Sequence, residues 1–171
     1  MTTLASNHQM MLSTWQQHTQ AEFALKDADA ALATMTANPY VLFVPTGTGG
    51  TGREAVRDFY ANRFLPSIPP DFGLASVSQI FAQDHIVEEF VVSFTHTLKM
   101  DWLLPGVPAT RRKTEFPLVG VIRFENGKVA SEHLYWDQAT VLSQLGIPKS
   151  PVPTAGVEAA VNLFKRSTQR G

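Results

Sequence analysis

The chain contains no cysteine. That absence removes disulfides, thiol nucleophiles and cysteine-ligated metals together. An excess of either charge is also missing. The formal net charge is −1, so no basic field is available to hold a nucleic acid. Only Arg111-Arg112-Lys113 forms a cationic run, and a run of that size reads as a solvated turn. No stretch approaches the roughly 20 apolar residues of a membrane span. The opening "MTTLASNHQMMLSTW" lacks the basic n-region and apolar run of a signal peptide. These absences lead to the expectation of a cytoplasmic protein with neither nucleic acid nor membrane as partner.

Catalytic signatures are scarce too. There is no His-Glu-x-x-His and no Gly-x-Ser-x-Gly, and His8, His18, His85, His96 and His133 lack metal-ligand spacing. No metal is expected. "GTGGTG" (47–52) matches Gly-x-Gly-x-x-Gly between a strand and a helix. A dinucleotide fold also needs a βαβ unit and an acidic residue about 20 residues further on. That region reads "PSIPPDFG", so the glycines predict a flexible turn before a helix capped by Thr51 and Glu54, and no cofactor is expected.

What is present is a core-forming chain. Its 171 residues, 44% apolar and 17% charged, suit one domain with a buried interior. The first ~35 residues read as helix, with Leu12, Trp15, Thr19 and Phe23 at helical spacing and Asp27 as an N-cap that divides the stretch. "PYVLFVP" (39–45) is a short strand. The helix after the glycines buries Val56, Phe59, Tyr60 and Phe64. Long strands follow over roughly 74–83, 85–102, 114–125 and 128–137, then a short helix over 138–145 that ends at Gly146. Helices first and a mostly antiparallel sheet afterwards define an α+β class. One domain over 1–147 is expected, with 148–171 as a proline-rich connector and an amphipathic helix packed on it.

Asn126-Gly127 is a two-residue hairpin turn, and it sets a register by counting. Without a bulge, Gly120 pairs with His133, Leu118 with Tyr135 and Phe116 with Asp137. One face then carries Phe116, Leu118, Ile122 and Phe124 with His133, Tyr135 and Asp137, three polar groups that cost free energy unless they line a cavity. The other carries Val119, Val121, Leu134 and Trp136, an apolar strip that predicts a homodimer, beside Arg123 and Glu132 read as an ion pair. A single β-bulge would exchange the faces. On the preceding strand Phe90, Val92, Phe94, His96, Leu98, Met100 and Trp102 alternate, which puts His96 amid apolar neighbours as either a core or a pocket residue.

The order of elements, and "FPLVGVIRFENGKVASEHLYWDQATVLSQLG" above all, resembles the NTF2-like superfamily and within it the SnoaL-like polyketide cyclases. The likeness covers about residues 10–147. It rests on the Gly-Lys turn, a last strand ending in Asp and a helix reading Leu-x-Gln-Leu-Gly. It implies a cone-shaped, curved antiparallel sheet wrapped around the N-terminal helices, a cystatin-like α+β barrel. It further implies Asp137 as a general base that removes a proton alpha to a carbonyl, without cofactor, and so drives aldol closure. His133 stands where that branch often has Trp. His96 or His133 would assist, and Tyr40, Tyr60, Phe94, Trp102, Phe116, Leu118 and Tyr135 would shape a central pocket for a small apolar molecule. Two other readings share this fold: a non-catalytic binder of small ligands, and an epoxide-hydrolase-like enzyme.

Overall fold

A computed structural model describes residues 4–147; the connector and helix expected over 148–171 lie outside the described residues. Helix α1 (Leu4–Thr19) runs on into a π-helical stretch, Gln20–Leu25. Asp27 then caps α2 (Ala28–Ala33), its carboxylate accepting from the amides of Asp29 and Ala30. The stripe that α1 and its π-helical continuation bury includes Met11, Trp15, His18 and Glu22, one step round from the expected Leu12, Thr19 and Phe23. Spacings of four, three and four keep those four residues on one face.

Strand β1 (Met35–Phe43) turns back through the glycines into a short strand β2 (Thr48–Thr51) that had read as a turn. At Gly49, φ is +134° and a Cβ would lie 2.0 Å from the Val41 carbonyl oxygen, so the close approach of β1 and β2 requires glycine. Thr51 pairs with Tyr40 in this ladder, and the N-cap of α3 (Arg53–Asp58) is Gly52, with no side-chain cap. A second π-helical stretch, Phe59–Phe64, continues α3 and buries Phe59, Tyr60 and Phe64. Strands β3 (Gly73–Phe81), β4 (His85–Thr95), β5 (Lys113–Glu125) and β6 (Lys128–Trp136) follow, then α4 (Gln138–Gln144). Strand β4 stops short of the expected 102, and the loop after it buries Met100, Trp102, Leu103 and Leu104 in the same core.

The six strands form one curved, open sheet in the order β2-β1-β6-β5-β4-β3. All neighbours are antiparallel except β1 and β6, which run parallel. The core lies between the concave face and the helices. No described helix is long and apolar enough to cross a membrane.

Asn126 and Gly127, at φ of +50° and +74°, make the expected hairpin turn. Its register holds for only two pairs, Glu125 with Lys128 and Phe124 with Val129. The next pair is Arg123 with Ser131, which leaves Ala130 unmatched as a bulge. Beyond it every residue of β6 faces the other way from the unbulged count: Gly120 pairs with Leu134 and Leu118 with Trp136. Glu132, Leu134 and Trp136 therefore point into the core, while His133 and Tyr135 join Val119 and Val121 outside. Arg123 pairs with Glu125, not with Glu132. Deleting Ala130 joins Val129 directly to Ser131 and keeps Arg123 opposite Ser131, so the variant should fold with Glu132 still inward and His133 still outward. An amide spectrum showing Glu132 moved to the outer face in that variant would contradict the register.

Candidate active site

Bringing Glu132 inside places it against α1. Its Oε1 lies 3.0 Å from His18 Nε2 and accepts the Tyr60 hydroxyl at 2.9 Å. Glu22 Oε1 is 3.4 Å from the same imidazole nitrogen, and Tyr60 Oη is 3.3 Å from it. His18, Glu22, Tyr60 and Glu132 are all buried, exposing 0 to 4% of their surface. Glu22 and Tyr60 both sit in the π-helical stretches, a local widening that recurs at functional sites.

Hydrogen bonding defines the protonation of His18. The Thr34 hydroxyl spends its one proton on the Ala31 carbonyl, 2.7 Å away, so it can only accept from His18 Nδ1, also at 2.7 Å. Nε2 faces carboxylate oxygens. Both ring nitrogens act as donors, which makes an imidazolium. Burial disfavours that cation, but Glu132 and Glu22 outweigh burial and raise the His18 pKa to about 10. Trp15 stacks on the ring at 5.5 Å and 10°, presenting an aromatic face to the charge. Glu22 is held above the usual carboxylate range, first by burial and then by the neighbouring Glu132, against the pull of His18. Burial and the same two carboxylates push the Tyr60 phenol up as well.

Glu22 and Glu132 open onto an inner pocket of about 40 Å³, walled mostly by apolar groups that include Phe43, Trp102, Phe116 and Leu118. That pocket shares Trp15, Thr19, Phe23, Phe72, Leu74 and Phe90 with a wider open cleft of about 610 Å³. A polar floor under an apolar throat can take a proton from, or return one to, a mostly apolar molecule.

The structure distributes the residues expected from the sequence differently. Trp102, Phe116 and Leu118 line the inner pocket, Tyr60 joins the polar cluster, and Phe94 packs edge-on against Phe116 behind the wall. The catalytic trio is not brought together, and none of the three lines either cavity. Asp137 is an exposed N-cap of α4, accepting from the amides of Ala139 and Thr140 and from the Thr140 hydroxyl. The Thr140 hydroxyl, above all, holds its carboxyl below the usual range, opposite to what a base near neutrality needs. His133 packs edge-on against Tyr40 on the outer face, and Tyr135 is 43% exposed there, because the bulge turned both outward. His96 is fully buried, accepts the Thr110 amide at Nδ1 and is kept neutral by burial. His18, Glu22 and Glu132 were missed. The first two were legible as an i, i+4 pair in phase with Met11 and Trp15; Glu132 was hidden by the bulge.

Helices packed into a curved, open six-stranded sheet, with a pocket between them, make an α+β fold of the NTF2-like, ketosteroid isomerase-like kind. The chain belongs to the SnoaL-like domain family, whose model matches residues 15–132, more than half its length. No curated protein matches the sequence. Among solved structures, a ketosteroid isomerase-like protein from Catenulispora acidiphila, crystallised with trimethylamine, is 19% identical with a TM-score of 0.61, over 82% of this chain and 97% of that one. A protein described as a SnoaL-like polyketide cyclase from Jannaschia is 17% identical with a TM-score of 0.65, over 82% of this chain and 94% of that one. The Streptomyces antibioticus protein IdmH, similarly described as a polyketide cyclase, is 20% identical with a TM-score of 0.61, over 80% of this chain and 98% of that one. At these identities the likeness is one of fold.

The cluster has a consequence for stability. His18 and Glu22 both bind protons more tightly folded than unfolded, so the native state holds more protons above their ordinary pKa values. Their stabilisation is complete below those values and is lost as pH rises. For His18 the window runs from 6.5 to about 10. The melting temperature should fall across that window, and His18→Gln, less stable at pH 6, should show a flatter fall. A parent profile flat or rising over the same range would contradict this protonation state.

Proposed function

We propose that this protein is a cofactor-independent lyase or isomerase, of the aldol-cyclase kind, acting on a mostly apolar carbonyl compound. The observation that carries the reading is the pair of buried carboxyl groups, Glu22 and Glu132, on the floor of an apolar pocket beside an imidazolium. Glu132 acts as the base that removes a proton alpha to the carbonyl, with His18 and Tyr60 fixing its orientation. Glu22, held above the usual range by burial, supplies a proton to the developing enolate oxygen. Two carboxyl groups in unlike environments divide acid and base roles between them. Membership of the SnoaL-like family and the cyclase descriptions of structural neighbours support the reaction class.

Turnover of a panel of carbonyl compounds and epoxides, with no cofactor added, tests the proposal. Glu132→Gln should reduce turnover by ~10²–10⁴-fold, whereas Asp137→Asn, which preserves the cap, should melt and turn over like the parent. A folded but inactive Asp137→Asn variant would return the base to Asp137. Turnover of epoxides alone would favour water activation by the same carboxylate. A small-ligand-binding reading is favoured by the trimethylamine complex of the Catenulispora protein, and ligand-induced thermal shift without product would establish it.

The outer face of the sheet carries Leu42, Val119, Val121, His133 and Tyr135, with Leu134 and Trp136 turned inward by the bulge. We propose that this strip is the homodimer interface. Light scattering at micromolar concentration should give twice the chain mass, and Val121→Glu should give the monomer. A monomeric parent would refute the interface.

A further inference from the structure

Among the described residues, the cleft leading to the inner pocket has one charged residue in its lining, Glu88, and it is a buried one. Glu88 sits on the concave side of β4, opposite Gly120, and exposes 3% of its surface. Oε2 accepts the Trp15 indole N–H at 2.6 Å and Oε1 the Ser76 hydroxyl at 2.5 Å. Both donors are neutral and line the same cleft. No lysine, arginine or histidine among the described residues makes an ion pair with Glu88. A carboxylate taken out of water with no counter-charge is costly. Two neutral hydrogen bonds occupy only part of its accepting capacity.

The surroundings fit one kind of counter-charge. Phe23 and Phe72, stacked at 5.5 Å and 2°, share the cleft wall with Trp15 and Phe90. Aromatic faces beside a carboxylate attract organic cations through both the charge and the ring quadrupoles. Deeper in, the imidazolium of His18 is already paired with Glu132, so it is not the counter-charge of Glu88.

We propose that the cleft is a subsite for a protonated amine: the substrate carries an ammonium group held by Glu88, its apolar body between the aromatic rings and its reacting end toward Glu22 and Glu132. The orientation of that reacting end rests on the proposed function; the ammonium site does not.

Benzylamine, protonated at neutral pH, and benzyl alcohol, its neutral counterpart, serve as probes in titration calorimetry of the full chain. The amine should bind and the alcohol bind at least ~10-fold more weakly. Glu88→Gln, whose amide oxygen still accepts from Trp15, should weaken the amine by roughly 10- to 100-fold, the range of a hydrogen bond to a charged group, and leave the alcohol within about twofold. Gln79 is exposed on β3 and pairs with Glu88 across the ladder. Gln79→Lys should therefore fold normally and abolish amine binding by supplying an internal counter-ion. Equal binding of amine and alcohol, or amine binding lost in Glu132→Gln but kept in Glu88→Gln, would overturn the proposal. Amine binding of this pattern in a protein without turnover would support the subsite while defeating the catalytic reading. Turnover of neutral carbonyl compounds without amine binding would do the reverse.

Discussion

A carboxylate stays inside this sheet because an imidazolium lies 3.0 Å from it. The contact between His18 and Glu132 joins the first helix to the last strand, and Tyr60 adds the helix after β2 to the same point. Removing one partner would leave an uncompensated charge in the core, which is far more costly than losing a surface ion pair. The hydrogen bond from His18 Nδ1 to the Thr34 hydroxyl extends the network to the end of α2. One cation thus ties three helical segments to the sheet.

The network also shapes the pocket. Apolar side chains alone would close the space between helices and sheet, as Phe59, Phe64 and Ile122 do around it. Polar groups that must keep their partners cannot be packed over at will, and the space beside Glu22 and Glu132 stays open to the cleft. The same polar floor that permits chemistry holds the fold in one arrangement, and the apolar walls keep those polar groups in a low-dielectric setting where each interaction is stronger.

Charge is distributed unevenly between surface and interior. The chain as a whole is near neutral, yet its interior holds Glu22, Glu88 and Glu132 against His18 alone among the described buried residues. Long-range steering is therefore weak, and selection among ligands falls to the cleft, where low dielectric magnifies a single charge.

Much of the fold was legible in the sequence because its signals are local. The Asn126-Gly127 turn, the Asp27 cap, the helical phase of Val56, Phe59, Tyr60 and Phe64, and the order of helices before strands each depend on residues a few positions apart. The resemblance to the SnoaL-like branch rested on such stretches. The site was not legible in the same way. Glu132 and His133 are adjacent and both polar, so no local pattern says which faces inward; one unmatched alanine decides it, by reversing a period-two strand. Asp137 stands where the resemblance implies a catalytic carboxylate, and the strand delivers it to the start of α4, where it caps the helix and lines neither cavity. His18 and Glu22 become favourable core residues only when Glu132, distant in the chain, arrives opposite them. Local backbone chemistry therefore determined the elements from sequence alone, while the burial of charge, whose cost depends on partners brought from elsewhere in the chain, was decided only in the tertiary structure.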